Sequence, residues 1–289
     1  MLILAGCSSF QKTTQKIGQD LSGSGNLKKR LVCLPFENRT GFEKERPQGL
    51  FLQNLTDQLQ NKCPALTLEP SEKGFKYSDF ALPPPSASGK IDMLMLSDAF
   101  RQKGINVLLM GSILDISAGV EKRGLLWFKE DRYIFKAHIE IMLIDTQTGT
   151  RISDEDFFYE AEVDEKEFNI IRSGKGADSA HLKPALLAMS QEAVKIVCQA
   201  LDALPWFCTV EAVQKNKVIL SCGKKSGLRE GIFLNVYEKG NAVAGFSGQR
   251  YFLKGRKTGR IKVTDVSGDQ AEAISTSDSP IAVGDIVSN

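Results

Sequence analysis

Apolar residues along this chain fall into successive rhythms, and each rhythm predicts a different kind of element. Arg30-Leu31-Val32-Cys33-Leu34-Pro35-Phe36 is a short apolar run, which predicts a buried strand over Leu31–Phe36. Leu50, Phe51, Leu55 and Leu59 recur at helical spacing behind Pro47 and predict a helix over Gln48–Lys62. Ala65–Glu69 alternates as a strand, and residues 70–90, with Pro83-Pro84-Pro85, read as a long loop. A second helix is predicted from Ile91 to Lys103, ended by Gly104. Ile105–Ile116 reads as a core strand. Arg132–Asp145 alternates over a long span, and Thr146-Gln147-Thr148-Gly149 turns it back into Thr150–Val163 as a hairpin. Leu182–Leu204 is one long amphipathic helix, closed by Pro205.

After Trp206 the rhythm shortens. Strands at 208–213, 217–222, 231–238, 258–266, 270–275 and 285–288 alternate with Gly-, Asn-, Asp- and Lys-containing turns. That spacing predicts a small all-β barrel or sandwich. The expected fold class is therefore α+β: a mixed sheet with packed helices over residues 29–204, followed by a small β domain over 206–289. With 289 residues and a soft prior of about 150 per domain, two domains also fit the length.

Composition narrows the function classes. Hydrophobic content of 42% and charged content of 25% are ordinary for a globular chain. The net charge is +2, from 37 basic and 35 acidic side chains, so the basic excess of a nucleic-acid binder is missing. No window of about 18 apolar residues predicts a membrane-spanning helix. Six cysteines occur, at 7, 33, 63, 198, 208 and 222, with no Cys-x-x-Cys, and only His138 and His181 could join them. No zinc set is expected from that spacing. Cys63 and Cys198 fall near the ends of two predicted helices, but pairing stays open, and most of the cysteines are expected to be small buried apolar residues.

The first residues, Met1-Leu2-Ile3-Leu4-Ala5-Gly6-Cys7, resemble the tail of a bacterial lipoprotein signal, with Leu4-Ala5-Gly6-Cys7 as its lipobox. The resemblance implies that the Cys7 thiol carries the lipid, and Ser8 after it implies sorting to the periplasmic face of the outer membrane. A signal needs an apolar core of about 7–15 residues, so the true start is expected upstream of Met1. Residues 8–28 are rich in Ser, Gly, Thr, Gln and Lys and read as a flexible tether with a reach of roughly 25 Å.

Three further stretches carry a family likeness. Leu31–Phe36 with Asn38-Arg39-Thr40-Gly41, then Gly104–Ile113, then Ile144-Asp145-Thr146-Gln147-Thr148-Gly149 resemble the strand motifs of TolB-amino-terminal and CsgG-like periplasmic domains. Lys225–Tyr237, Gly259–Val266 and Ile281–Val287 resemble the carboxy-terminal domain of flagellar assembly protein T. The likeness implies an envelope protein beside or within a flagellar ring. The lipid anchor departs from that family, whose members are soluble in the periplasm.

Catalytic patterns are weak. Arg172-Ser173-Gly174-Lys175-Gly176-Ala177 lacks the first glycine of a phosphate loop and has Gly176 where the magnesium ligand belongs. Asp154-Glu155-Asp156 and the carboxylates over 160–167 alternate with Phe157, Phe158, Ala161 and Val163, as a solvated strand face and the turn following it do. His138 is expected at the surface of its strand and His181 at a helix start. No nucleophile elbow occurs. No enzyme, cofactor or metal is expected.

Two stretches suit interactions. Leu125-Leu126-Trp127-Phe128 lies between charged flanks at an expected hairpin tip, suited to a partner or to lipid headgroups. Arg256 and Lys257, with Lys254, Arg250, Arg260 and Lys262, make the β domain locally basic and suit peptidoglycan or anionic lipid. The expected role is a structural or assembly component of an envelope machine, flagellar first, with head-to-tail ring contacts among envelope proteins. An activator of peptidoglycan synthases ranks second. A CsgG-like pore ranks last, because its transmembrane strands need about 9–11 residues with an apolar face.

Overall fold

Alternation on the first strand decides the layers, because successive side chains leave a strand on opposite faces. In β1 (Lys29–Cys33), Leu31 and Cys33 enter one apolar cluster, while Val32 enters another on the opposite face. The computed structural model describes residues 27–42, 46–69, 92–125, 127–174, 179–246 and 248–289. The lipobox, the tether up to residue 26, the loop 70–90 and residues 175–177 of the stretch resembling a phosphate loop therefore lie outside the described residues.

The first body is a mixed sheet in the order β3-β1-β4-β5-β6, where β3 is Leu66–Glu69, β4 Val107–Leu125, β5 Phe128–Asp145 and β6 Thr150–Val163. β1 is parallel to both β3 and β4, and the two-residue β2 (Glu37–Asn38) also pairs with β4 in parallel. The β4–β5–β6 meander is antiparallel. Two helices, α1 (Pro47–Lys62) and α4 (Leu182–Ala203), bury Phe51, Leu55, Leu59, Leu186, Met189 and Val197 against one face. The short α2 (Met93–Arg101) covers the other with Leu96 and Phe100; the Asp92 carboxylate caps it by accepting from the Leu94 and Met95 amides. A fourth helix, α3 (Glu165–Arg172), stands where the sequence suggested only a turn, capped by Asp164 and anchored by Phe168 and Ile171.

The second body is a closed, all-antiparallel six-stranded barrel in the order β12-β13-β8-β7-β14-β9. Its strands are β7 (Phe207–Gln214), β8 (Lys217–Leu220), β9 (Phe233–Tyr237), β12 (Lys257–Val266), β13 (Ala271–Ser275) and β14 (Ile286–Ser288). The sequence left barrel and sandwich open; closure resolves them. A small hairpin, β10 (Ala242–Ala244) with β11 (Arg250–Phe252), stands outside this ring between β9 and β12 and was not expected.

Four of the six cysteines are bridged, Cys63 to Cys198 and Cys208 to Cys222, which corrects the expectation of isolated buried thiols. The first bridge joins the end of α1 to α4. Cys33 is fully buried, and burial alone pushes its thiol up to about 12. As a thiol it is unreactive at neutral pH.

The two bodies are joined by buried polar contacts. The Arg30 guanidinium bonds Glu69 at 2.7 Å and donates to the carbonyls of Lys103 and Ser221. Asn106, 1% exposed, accepts from the Arg30 amide and donates to the Phe207 carbonyl at 2.9 Å. Gly104 adopts φ 70°, and a β-carbon there would stand 2.4 Å from Ser221 Oγ, so glycine is required where the barrel closes on the sheet. The β10–β11 hairpin acts as a strap. Its Phe252 amide donates to the Thr148 carbonyl at 2.7 Å, its ring lies 3.8 Å from the Arg101 guanidinium, and Arg250 pairs with Asp92.

Leu27 and Lys28, the last residues of the expected tether, already belong to the fold. Leu27 packs against the barrel core, the Lys28 amide donates to the Ser226 carbonyl, and Trp206 Nε1 donates to the Lys28 carbonyl.

Candidate interaction surfaces

The motifs that carry the family likeness turn out to be structural. Asn38 Oδ1 accepts from the Thr40 amide and hydroxyl, closing a turn beside β2. A β-carbon on Gly111 would sit 2.3 Å from the Phe36 ring, so that glycine lets the ring lie on the sheet. Asp145 accepts from the Gln147 amide and the Thr148 hydroxyl, shaping the turn on which Phe252 docks. Burial pushes the Asp145 carboxyl above its ordinary value, against the pull of these hydrogen bonds. None of these side chains presents itself to a ligand.

The longest feature on the surface is the β4–β5 hairpin. Its strands have 19 and 18 residues and stay in register from Val107↔Asp145 to Leu125↔Phe128, with one bulge at Leu114. At about 3.3 Å per residue, β4 is roughly 60 Å long, and its end, Glu121–Leu125, pairs with β5 residues 128–132, beyond the last β5–β6 pair at Tyr133↔Val163. The tip lies where the sequence located it. Leu125 and Phe128 are its last paired positions, Leu126 lies outside the described residues, and Trp127 is 90% exposed. Register pairs Lys122 with Asp131 on one face and Glu121 with Arg132 on the other, so both faces of this arm carry charge. Arg132 reaches Glu162 on β6, and Lys136 holds Glu121 and Glu160.

The base of the arm is buttressed. Tyr133 stacks on Phe168 of α3 at 4.5 Å, and Phe135 lies near His181. Glu167 ties α3 to the start of α4: Ser179 Oγ donates to its Oε1 at 2.6 Å, and His181 Nδ1 lies 2.9 Å from its Oε2. Ser179 donates to the carboxylate rather than to histidine, so these three residues form a brace and not a nucleophile with its base. Burial raises the Glu167 carboxyl, but the bonds from Ser179 and His181 outweigh it and hold it below 4.5. A depressed folded value gives stability that is present above the unfolded value and lost as pH falls through the folded one. Thermal scans of wild type and Glu167→Gln should therefore differ at pH 7 and converge only as pH falls below the ordinary carboxylate range, where Glu167 takes up its proton; curves that stay parallel would exclude the brace. His138, expected at the surface, has its Nε2 within hydrogen-bond distance of Asp156 Oδ1, at 2.6 Å, and its ring stacks on the exposed ring of Phe158.

On the barrel the basic group separates by partner. Arg256 is exposed but bound to Glu238 at 2.8 Å, and Lys254 lies over the Tyr237 ring. Lys257 is exposed at the start of β12. Arg260 and Lys262 flank the exposed ring of Phe233, at 4.6 and 5.8 Å. The sequence counted Arg260 and Lys262 among the basic residues but missed Phe233, whose pairing with them depends on strand register. An open cleft of about 450 Å³ where barrel meets sheet is lined by Gln102, Lys103, Glu211, Lys239 and Gln270. Its charges are largely satisfied internally, Lys239 by Asp98 and Glu211 by Gln270.

Among the described residues no helix is long and apolar enough to cross a membrane. Cys7, the residue expected to carry lipid, lies outside the described residues. No protein-family model matches the chain, and no curated protein matches it in sequence. Among solved structures, the chain is similar to a hypothetical protein from Chlamydia trachomatis, at 13% identity and a TM-score of 0.40, over 61% of this chain and 99% of that one. It is similar to a lipoprotein from Neisseria meningitidis at 12% identity and a TM-score of 0.31, over 50% of this chain and 93% of that one. The PelC dodecamer from Paraburkholderia phytofirmans is similar at 10% identity and a TM-score of 0.32, over 58% and 86% of the two chains. Likenesses at these scores assign this chain neither a family nor a function.

Proposed function

We propose that this chain is a non-enzymatic lipoprotein of the bacterial envelope, held to a membrane through Cys7, that works by presenting a rigid frame to protein partners. The observation that carries the reading is the β4–β5 arm. It is braced at its base by α3 and ends in a tryptophan left 90% exposed. An aromatic side chain desolvates favourably at a partner surface and is a frequent energetic centre of interfaces. The two disulfides support an oxidising compartment such as the periplasm. The finer reading, carried by the motif likeness, is a component beside the flagellar basal body at the periplasmic face of the outer membrane. A secretion-pore role fits less well, because a transmembrane strand needs one apolar face and both faces of the arm are charged.

Two variants of the full chain test this. Cys7→Ser should make the protein extractable from membranes by molar salt, whereas the wild type should need detergent. Trp127→Ala should leave thermal stability within about 0.5 kcal/mol, as exposed substitutions do, yet abolish the cross-linked complex that a photoreactive residue at position 125 forms in cells. Retention of Cys7→Ser on membranes after a molar-salt wash sinks the anchor. An unchanged cross-link pattern in Trp127→Ala sinks the arm as the contact.

A further inference from the structure

We propose that the barrel wall formed by β9, β12 and β13 is a second membrane contact, which binds the anionic phosphate headgroups of a bilayer. Strand alternation sets the wall. β12 buries Ile261 and Val263, so Arg260 and Lys262 face outward; β9 buries Leu234 and Val236, so Phe233 and Asn235 face outward. Register aligns them in rows. Lys262 lies opposite Phe233 on one side and Ile274 on the other, and Arg260 lies opposite Asn235. Phe233 is 42% and Ile274 39% exposed, so two apolar side chains flank the cations.

These cations differ from their neighbours. Lys217, Lys225 and Arg256 are bound by Glu272, Asp269 and Glu238. Among the described residues, Arg260 and Lys262 have no carboxylate partner and rest on the Phe233 ring instead. The span 206–289 has twelve Lys and Arg against eight Asp and Glu, so the barrel is the basic part of a nearly neutral chain. Unpaired cations beside exposed apolar side chains suit an interface that offers phosphate outside and hydrocarbon beneath.

The exit of the chain selects the membrane as the occupant. Leu27 packs against the barrel core and the Lys28 amide bonds Ser226. A few residues on, the Gly231 amide bonds the Val263 carbonyl beside Lys262. The segment toward Cys7 therefore leaves the fold at the end of the barrel that carries Phe233 and Lys262. Drawn in by its own tether, the barrel would meet the leaflet with this wall. One anchor combined with a basic patch is a recognised route to stable attachment.

The inference rests on the reading of a membrane-tethered protein, and its test is separable from that reading because it uses no acyl chain. Full-length Cys7→Ser protein is sedimented with phosphatidylcholine vesicles, with and without phosphatidylglycerol. Binding is expected only to the anionic vesicles, and it should weaken as salt rises toward molar, where screening shortens to about 3 Å. Each cation near an anionic leaflet strengthens binding about fivefold, so Arg260→Gln with Lys262→Gln should lower partitioning roughly twenty- to thirtyfold. Phe233→Ala should lower it less. Equal binding to both vesicle types, no binding to either, or an unchanged Arg260→Gln/Lys262→Gln variant overturns the proposal. Binding to purified peptidoglycan in place of vesicles, lost in the same variant, overturns it in favour of a glycan partner.

Discussion

Replacing Cys63 and Cys198 together with alanine is expected to lower the unfolding free energy by about 3–5 kcal/mol. The bridge spans 135 residues of sequence, and its two Cα atoms stand 5.6 Å apart, within the ordinary range for a disulfide. A loop of that length leaves the unfolded chain much freer when it is cut, which is where most of the stabilisation originates. α1 and α4 would still pack through Leu55, Leu59 and Val197, and Gln58 would still donate to Ser190. The fold should therefore persist while melting on the order of 10 °C lower. Thermal unfolding with and without reductant reads this directly. A wild-type midpoint that does not move on full reduction would show that the bridge contributes nothing. The Cys208–Cys222 bridge closes only 14 residues and is expected to contribute about 3 kcal/mol.

The second large effect is expected at the strap. Phe252→Ala should cost about 3–4 kcal/mol, because the ring is 8% exposed and packed between the Arg101 guanidinium and the turn at Gly149. Arg101 is 2% exposed and pairs with Asp98, and its charge has no route to water. Burial raises the Asp98 carboxyl, but Arg101 and Lys239 overcome that and hold it below its ordinary value. Arg101→Met removes the cation while keeping much of the apolar stem. In a double-mutant cycle with Phe252→Ala it should show coupling on the order of 1–2 kcal/mol. The readout that separates a strap from ordinary core packing is proteolysis. Loss of Phe252 should expose the 240–256 segment to cleavage while the Cys208–Cys222 barrel stays intact. Strict additivity, with no new cleavage, would argue against a clamp.

How far the sequence reveals this fold depends on where each residue finds its partner. α1 and α4 were legible because Leu55 and Leu59, or Leu186, Met189 and Val197, answer to neighbours at helical spacing. The β5–β6 hairpin was legible from its turn. β4 extends beyond the Ile116 boundary suggested by pattern: Ser117, Gly119, Glu121 and Arg123 have no apolar rhythm and are held by the ladder to β5 and by ion pairs such as Lys136 with Glu121. α3 is eight residues long, too short for a period, and is fixed by Asp164 and by Phe168 meeting Tyr133. The strap could not be read, since two three-residue strands say nothing of Arg101, some 150 positions earlier in the chain. The tip of the arm was legible as chemistry, with Trp127 among charges. The basic surface was legible as composition only, because register decides which cations stand beside Phe233 and which are neutralised.

The interior location of β1, second in the order of its sheet, bears on how a tethered frame would carry load. The strand runs between β3 and β4, parallel to both, with pairs from Lys29↔Leu66 to Cys33↔Leu109. Tension arriving through the residues before Leu27 pulls along this strand, not across it. The flanking ladders are then sheared as a set, and their hydrogen bonds share the force instead of opening one after another. The clasp of Lys28 by Ser226 and Trp206 meets the pull first, so the barrel is drawn tighter against the sheet before the ladder is tested. A chain that entered through an edge strand would peel; this one is moored on an interior strand of its sheet.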